Sequence, residues 1–206
     1  MDKLVLKQQD KMLYAPSAKD AALVTVPAMQ FLMVDGTGNP NHSARFQAAV
    51  EALYALSYTL KFLVRAEREI DYGVLPLEGL WWVPDMAEFD INMKEHWLWT
   101  VMIRQPDFVT AEQVERARVQ AAGKKELVLL SELRFETFVE GLSAQILHIG
   151  PFSEEGPTVE KLHRFILEQG CAITGKHHEI YLSDIRRAAP EKWRTVVRQG
   201  VACSEQ

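Results

Sequence analysis

The chain has 206 residues, 48% hydrophobic and 25% charged, with a net charge of -5. That is the balance of a soluble globular protein with enough apolar content for a full core. The acidic excess and the absence of a long basic run argue against nucleic-acid binding, which rests on Lys and Arg neutralising phosphates. No run is apolar enough to span a membrane, and Met1 to Leu6 does not form a signal peptide, so a cytoplasmic protein is expected. The two cysteines, Cys171 and Cys203, stand far apart, show no metal-ligand spacing and suit a reducing compartment, with Cys203 in a frayed tail.

In chain order, residues 1 to 20 read as a polar lead-in, and 21 to 206 as one domain. An apolar strand from Val26 to Val34 ends in a turn at Gly36. A helix from Phe46 to Val64 follows, with Phe46, Val50, Leu53, Leu56, Leu60 and Leu63 forming a core stripe and Tyr54, Tyr58 and Phe62 flanking it. Next come a strand from Leu75 to Trp82, with Glu78 in its middle, a long polar loop over 84–96 and a strand from Trp97 to Arg104. Ordered loops of that length are often functional. Thr110-Ala111-Glu112-Gln113 is a capping-box pattern that opens a charged helix to about Ala122. A shorter helical piece near Leu127 to Leu133 completes a connection expected on the outside of the fold. After it come a strand from Leu142 to Ile149, a turn at Gly150, a helix from Thr158 to Gln169 ended by Gly170, a strand from His177 to Leu182 and a last strand from Trp193 to Val197.

The order strand, turn, helix, strand, strand therefore occurs twice, and a repeat of this kind fixes the architecture. The expected fold is α+β: a duplicated βαββ unit with a curved antiparallel sheet and a ligand cleft between pseudo-twofold halves. Repeat one covers about 25–105, the connecting helices about 106–134 and repeat two about 135–201. Glu78 and Glu179 fall at matching places, each in a strand otherwise fit for burial. A carboxylate among apolar residues is costly to bury unless something pairs with it, so the two glutamates point to a cleft that receives a ligand.

Side chains alternate along a strand. His177 and Tyr181 therefore share a face with Glu179, and His178 and Ile180 take the other. Glu78 shares a face with Trp82, and Trp97 with Trp99. Carboxylates among indoles suit flat apolar or cationic ligands, since indole faces attract cations by about 0.5–2 kcal/mol. Core packing is the competing reading for each tryptophan. Adjacent histidines on a strand point apart, so His177 and His178 do not share an ion, and neither a metal nor another cofactor is expected. His148 is read at the cleft mouth or as a satisfied structural histidine. Glu154 and Glu155 are read as charge complementing a helix N-terminus. No serine or cysteine has the surroundings of a nucleophile.

Three segments, His148-Ile149-Gly150-Pro151-Phe152-Ser153-Glu154-Glu155, Lys161-Leu162-His163 and Gly175-Lys176-His177-His178-Glu179-Ile180-Tyr181-Leu182-Ser183-Asp184, together resemble the GyrI-like small-molecule-binding family, closest to its stand-alone branch. Tyr58-Thr59-Leu60-Lys61-Phe62, Pro76 to Trp82 and Gln105-Pro106-Asp107-Phe108 add to it. Ile185 departs from the pattern, which has Pro after Ser183-Asp184. The resemblance implies an effector-binding domain of the multidrug-binding type, with Glu179 contacting a ligand that is often a cationic aromatic. For some stand-alone members it implies detoxification by a hydrolase that opens the cyclopropane ring of DNA-alkylating natural products. For gyrase-inhibiting relatives it implies a protein-interaction module. Tyr58, Glu78, Trp82, Trp97, Trp99, His148, Phe152, His177, Glu179 and Tyr181 are the expected ligand-binding residues. Glu179, Glu78 and Tyr181 are the catalytic candidates if the chain is an enzyme. The favoured partner is a flat hydrophobic small molecule, neutral or cationic.

Overall fold

Apolar runs bounded by glycine, proline and charged breaks become the strands of one sheet. The computed structural model describes residues 2–4, 8, 10–90 and 93–204. The first copy and its approach comprise β1 (Asp2–Leu4), α1 (Lys11–Tyr14), β2 (Ala22–Val26), β3 (Met29–Thr37), α2 (Ala44–Arg68), β4 (Ile70–Tyr72), β5 (Leu77–Trp82) and β6 (Leu98–Gln105). The connection holds α3 (Ala111–Ala122) and β7 (Arg134–Phe138). The second copy comprises β8 (Gly141–Ile149), α4 (Gly156–Glu168), β9 (Cys171–Tyr181) and β10 (Arg194–Cys203).

The main sheet has the order β2-β8-β10-β9-β5-β6-β3-β7, with every neighbour antiparallel. β5 and β9 meet at its centre, and the remaining strands of each copy extend outward in matching order. The duplicated βαββ architecture is thus the one present. Both long helices lie on one face. The leucines of α2, among them Leu53, Leu56 and Leu60, pack on Leu32, Val101 and Ile103; Leu162 and Ile166 of α4 pack on Ala144, Ile146 and Val197. Burial of one such leucine contributes about 1.5–3 kcal/mol. Ser43 caps α2 by accepting from the Phe46 amide, and the Thr110–Gln113 capping box on α3 is complete.

Several expectations change. Residues 1 to 20 are not only a polar lead-in: Leu13 and Tyr14 are buried on the face opposite the helices, against Phe31, Leu80, Ile180 and Val196. Pro27, which has no amide to donate to a ladder, separates the expected strand 26–34 into β2 and β3. β2 then pairs with β8 of the second copy, while β7, a strand not foreseen, pairs with β3 of the first. Each copy therefore borrows an edge strand from outside its own βαββ unit. The connection is not merely external, because Val114, Ala117 and Ala121 of α3 are buried with α2 in the larger core. The last strand continues to Cys203, which pairs with Cys171 across the ladder, and the two sulfurs are joined. The reading of separate thiols in a frayed tail is corrected accordingly. Among the described residues, no helix is long and apolar enough to cross a membrane.

Candidate functional site

Register decides which side chains meet at the centre of the sheet. Glu179 lies opposite Gly79, and Glu78 lies opposite Ile180. The two glutamates are thus one residue out of phase, and strand alternation sends them to opposite faces. The expectation that they face each other across one cleft is overturned by this single-residue offset.

On the helix face, Glu179 is flanked by His177 and Tyr181 of its own strand, as alternation requires. His177 Nε2 stands 3.2 Å from Glu179 Oε1. Trp81, across the ladder from His177, folds its indole back over Gly79. A Cβ at that glycine would lie 2.8 Å from Trp81 Nε1, so the missing side chain is what admits the ring beside Glu179. Trp81 stacks on Phe46 of α2 at 5.9 Å and meets Trp97 at 5.3 Å. Phe89, from the loop between β5 and β6, stacks on Trp97 at 5.2 Å and lies 5.7 Å from the His177 ring. Lys94 of the same loop sits over Trp97, 5.2 Å from the ring centre. Phe152 packs edge-on against Tyr181 and also against Trp193.

A second carboxyl enters from α4. Glu155 is the N-cap residue of that helix, yet its side chain makes no capping bond. Pro157 lacks one of the amides a cap would use, and the Thr158 amide goes to the Glu155 carbonyl. The carboxyl turns inward instead, and Glu155 is 1% exposed against 6% for Glu179. One ligand atom from each of Glu155, His177 and Glu179 fall within 4.8 Å of one another, a donor set of the kind that holds a divalent ion. Burial first, then the charge of Glu179, pushes the Glu155 carboxyl far above its ordinary range. Burial opposes the charge on Glu179 too, but His177, the Tyr181 hydroxyl and Lys94 outweigh it and hold that carboxyl down. Burial and the Glu179 charge keep the Tyr181 phenol protonated to high pH. Buried Glu155 Oε1 and His163 Nε2 have no hydrogen-bond partner among the described residues. The arrangement offers one charged carboxylate, one carboxyl that carries a proton, a phenol donor and aromatic walls.

The sequence profile of the GyrI-like small molecule binding domain matches residues 20–198. The chain belongs to that family. A solved structure of an uncharacterized conserved protein from Listeria innocua is 43% identical, with a TM-score of 0.90, covering 97% of this chain and 100% of the other. A hydrolase encoded by lin2189 from Listeria innocua is 41% identical, with a TM-score of 0.87 over 98% of this chain and 100% of the other. The C-terminal domain of EcmrR shares the fold at 12% identity, with a TM-score of 0.58 over 90% of this chain and 98% of that domain. No curated protein matches the chain.

Within this GyrI-like domain the remaining candidates are dispersed. Glu78 is fully buried on the opposite face, 3.2 Å from the Tyr14 hydroxyl and 3.0 Å from His178 Nε2. His178 also reaches Glu140 at 3.0 Å, and Arg198 ties Glu140 to Gln145 and the Leu13 carbonyl. Glu78 is thereby paired within a buried ionic chain. Trp82 is on that face too, with the Lys176 ammonium 3.3 Å from its ring centre. Trp99 is fully buried against Phe46 and Gly36. His148 is a satisfied histidine, bonded through Nδ1 to Thr158 and through Nε2 to the Pro151 carbonyl. Tyr58 is half exposed on α2, stacked on Tyr54. Glu179, His177, Tyr181, Trp97 and Phe152 do come together. Trp81, Phe89 and Glu155 are the members that sequence reasoning missed. Pro157 was the available signal for Glu155, because a helix with proline at N2 has one amide fewer for a capping side chain.

Proposed function

We propose that this small-molecule-binding domain receives a flat, hydrophobic, singly cationic molecule on the helix face of the sheet, with Glu179 as its charge partner and Trp81 and Trp97 as its walls. The observation that carries the reading is a buried carboxylate set among aromatic rings, where a cation gains both the charge and the ring faces. Phe89 and Lys94 supply a flat ring and a cation to Trp97 from the protein itself. A ligand with both features in one molecule replaces them. Fluorescence titration tests this with N-methylacridinium and its neutral counterpart 9-methylanthracene. Quenching that saturates for the cation, weakens in Glu179→Gln and shrinks in Trp81→Phe is expected. Equal affinity for both probes, or quenching untouched in both variants, would refute it.

A second reading is hydrolysis, favoured by the 41% identical hydrolase relative and by the unlike states of Glu155 and Glu179. Glu179 accepts a proton from water as the water oxygen bonds to a carbon of a strained three-membered ring; the ring C–C bond breaks, its electron pair passes to a conjugated carbonyl, and protonated Glu155 donates to that oxygen, a division of labour worth ~10²–10⁴-fold. The family resemblance makes a strained cyclopropane compound the substrate to try. Turnover no faster than buffer would end this reading, and full activity in Glu179→Gln would remove that residue from it. The protein-interaction module has no comparable observation in its favour.

A further inference from the structure

We propose that Glu155 is the second half of the ligand site, sharing one proton with Glu179, and that a monocationic ligand enters in exchange for that proton. The inference rests on the binding reading above and adds to it both a residue and a stoichiometry. Two carboxyls on separate elements, one at the start of α4 and one in β9, are brought together with His177 inside 4.8 Å, and all three are buried. Two negative charges so placed, away from water, do not both persist without a positive charge between them.

The groups facing the pair are His177 and Tyr181 on β9 and Lys94 from the loop after β5; His163 on α4 stands near His177, its basicity lowered by burial and by that neighbour. None of these gives Glu155 Oε1 a hydrogen bond, and that oxygen remains without a partner. A proton on Glu155 supplies the missing positive charge in the free protein. When an organic cation arrives, its charge does the same work, the proton leaves to solvent, and both carboxylates face the ligand. Lys94 already contributes one positive charge nearby, and the walls are aromatic. Both features favour a single charge spread over a ring above a compact dication.

The exchange fixes the sign of the pH dependence. The free pair holds its proton well above neutrality and the complex does not. Cation affinity therefore rises with pH, by about tenfold per pH unit for one exchanged proton. Calorimetry of N-methylacridinium binding to the whole chain in phosphate and in Tris counts the protons released. Wild type is expected to release about one, with affinity rising about a hundredfold from about pH 6 to about pH 8. Glu155→Gln, isosteric and permanently neutral, is expected to bind with a flat pH profile and no release. Binding of the neutral 9-methylanthracene is expected to be pH-independent.

Cation binding with no proton release would overturn the exchange and leave the proposed function standing. No cation binding at all would sink both. The pair is also testable without ligand: in ¹³C-labelled protein, one glutamate carboxyl is expected to titrate above neutrality and to vanish in Glu155→Gln. All glutamates titrating in the ordinary acidic range would overturn the shared proton. Stoichiometric Zn²⁺ binding that Glu155→Gln abolishes would overturn it too, assigning the three donors to a metal.

Discussion

Replacing His178 by Gln tests the ionic chain on the face opposite the helices. His178 is fully buried between Glu78 and Glu140, 3.0 Å from each. Although burial alone would lower its pKa, Glu140 and then Glu78 raise it from 6.5 to about 9. The folded protein thus keeps the imidazolium to about pH 9, while the unfolded chain releases the proton near 6.5. The stabilisation is complete below that lower value and is lost as pH rises through the upper one. A difference of this size corresponds to about 3 kcal/mol. Removing the imidazolium also leaves two buried carboxylates with one fewer partner, a loss of about 3–5 kcal/mol. On the acid side, burial would raise the Glu140 pKa, but His178 and then Arg198 outweigh it and hold the carboxyl down to about 2, so its contribution fades only as pH falls from the ordinary carboxylate range towards that value. Urea denaturation with the disulfide intact, at about pH 6 and about pH 9.5, supplies the comparison. The stability difference between wild type and His178→Gln is expected to be largest at the lower pH and to shrink by about 3 kcal/mol at the higher. An equal difference at both would refute the charged-histidine account.

Other outcomes follow from the packing. Gly79→Ala places a Cβ 2.8 Å from the Trp81 indole, so a loss of about 1–3 kcal/mol is expected in denaturant titration, together with weaker probe quenching. Gly36→Ala is harsher, since its Cβ would stand 2.1 Å from the buried Trp99 ring; a sharply lowered melting temperature is the expected reading, and an unchanged one would mean the indole has room to move. Thr110→Ala removes one arm of the capping box on α3 and is expected to cost about 1 kcal/mol, leaving probe affinity as it was.

The duplication was legible because apolar runs punctuated by Gly36, Gly150 and Gly170 repeat in the same order, and burial enforces that pattern on any chain with this fold. The neighbours of Glu179 were legible as well, since alternation along one strand needs no knowledge of its partner. What lay between strands was not. Matching Glu78 to Glu179 by sequence missed the one-residue offset that only the ladder sets, and a slip of one residue reverses the face. Trp81 and Trp82 are adjacent, and which indole joins the site depends on the same register. β2 and β7 pair with distant strands, and no local signal names a partner. Glu155 stood in a stretch that fits a helix start equally well, and its inward turn depends on the contact with Glu179 across the fold.

A crystal structure of the N-methylacridinium complex shows which face of the sheet holds the ligand. The ring is expected on the faces of Trp81 and Trp97, with its charge beside Glu179 and Glu155 and Phe89 moved off Trp97. A ring bound on the opposite face beside Trp82 and Glu78, with Phe89 still stacked on Trp97, would contradict it.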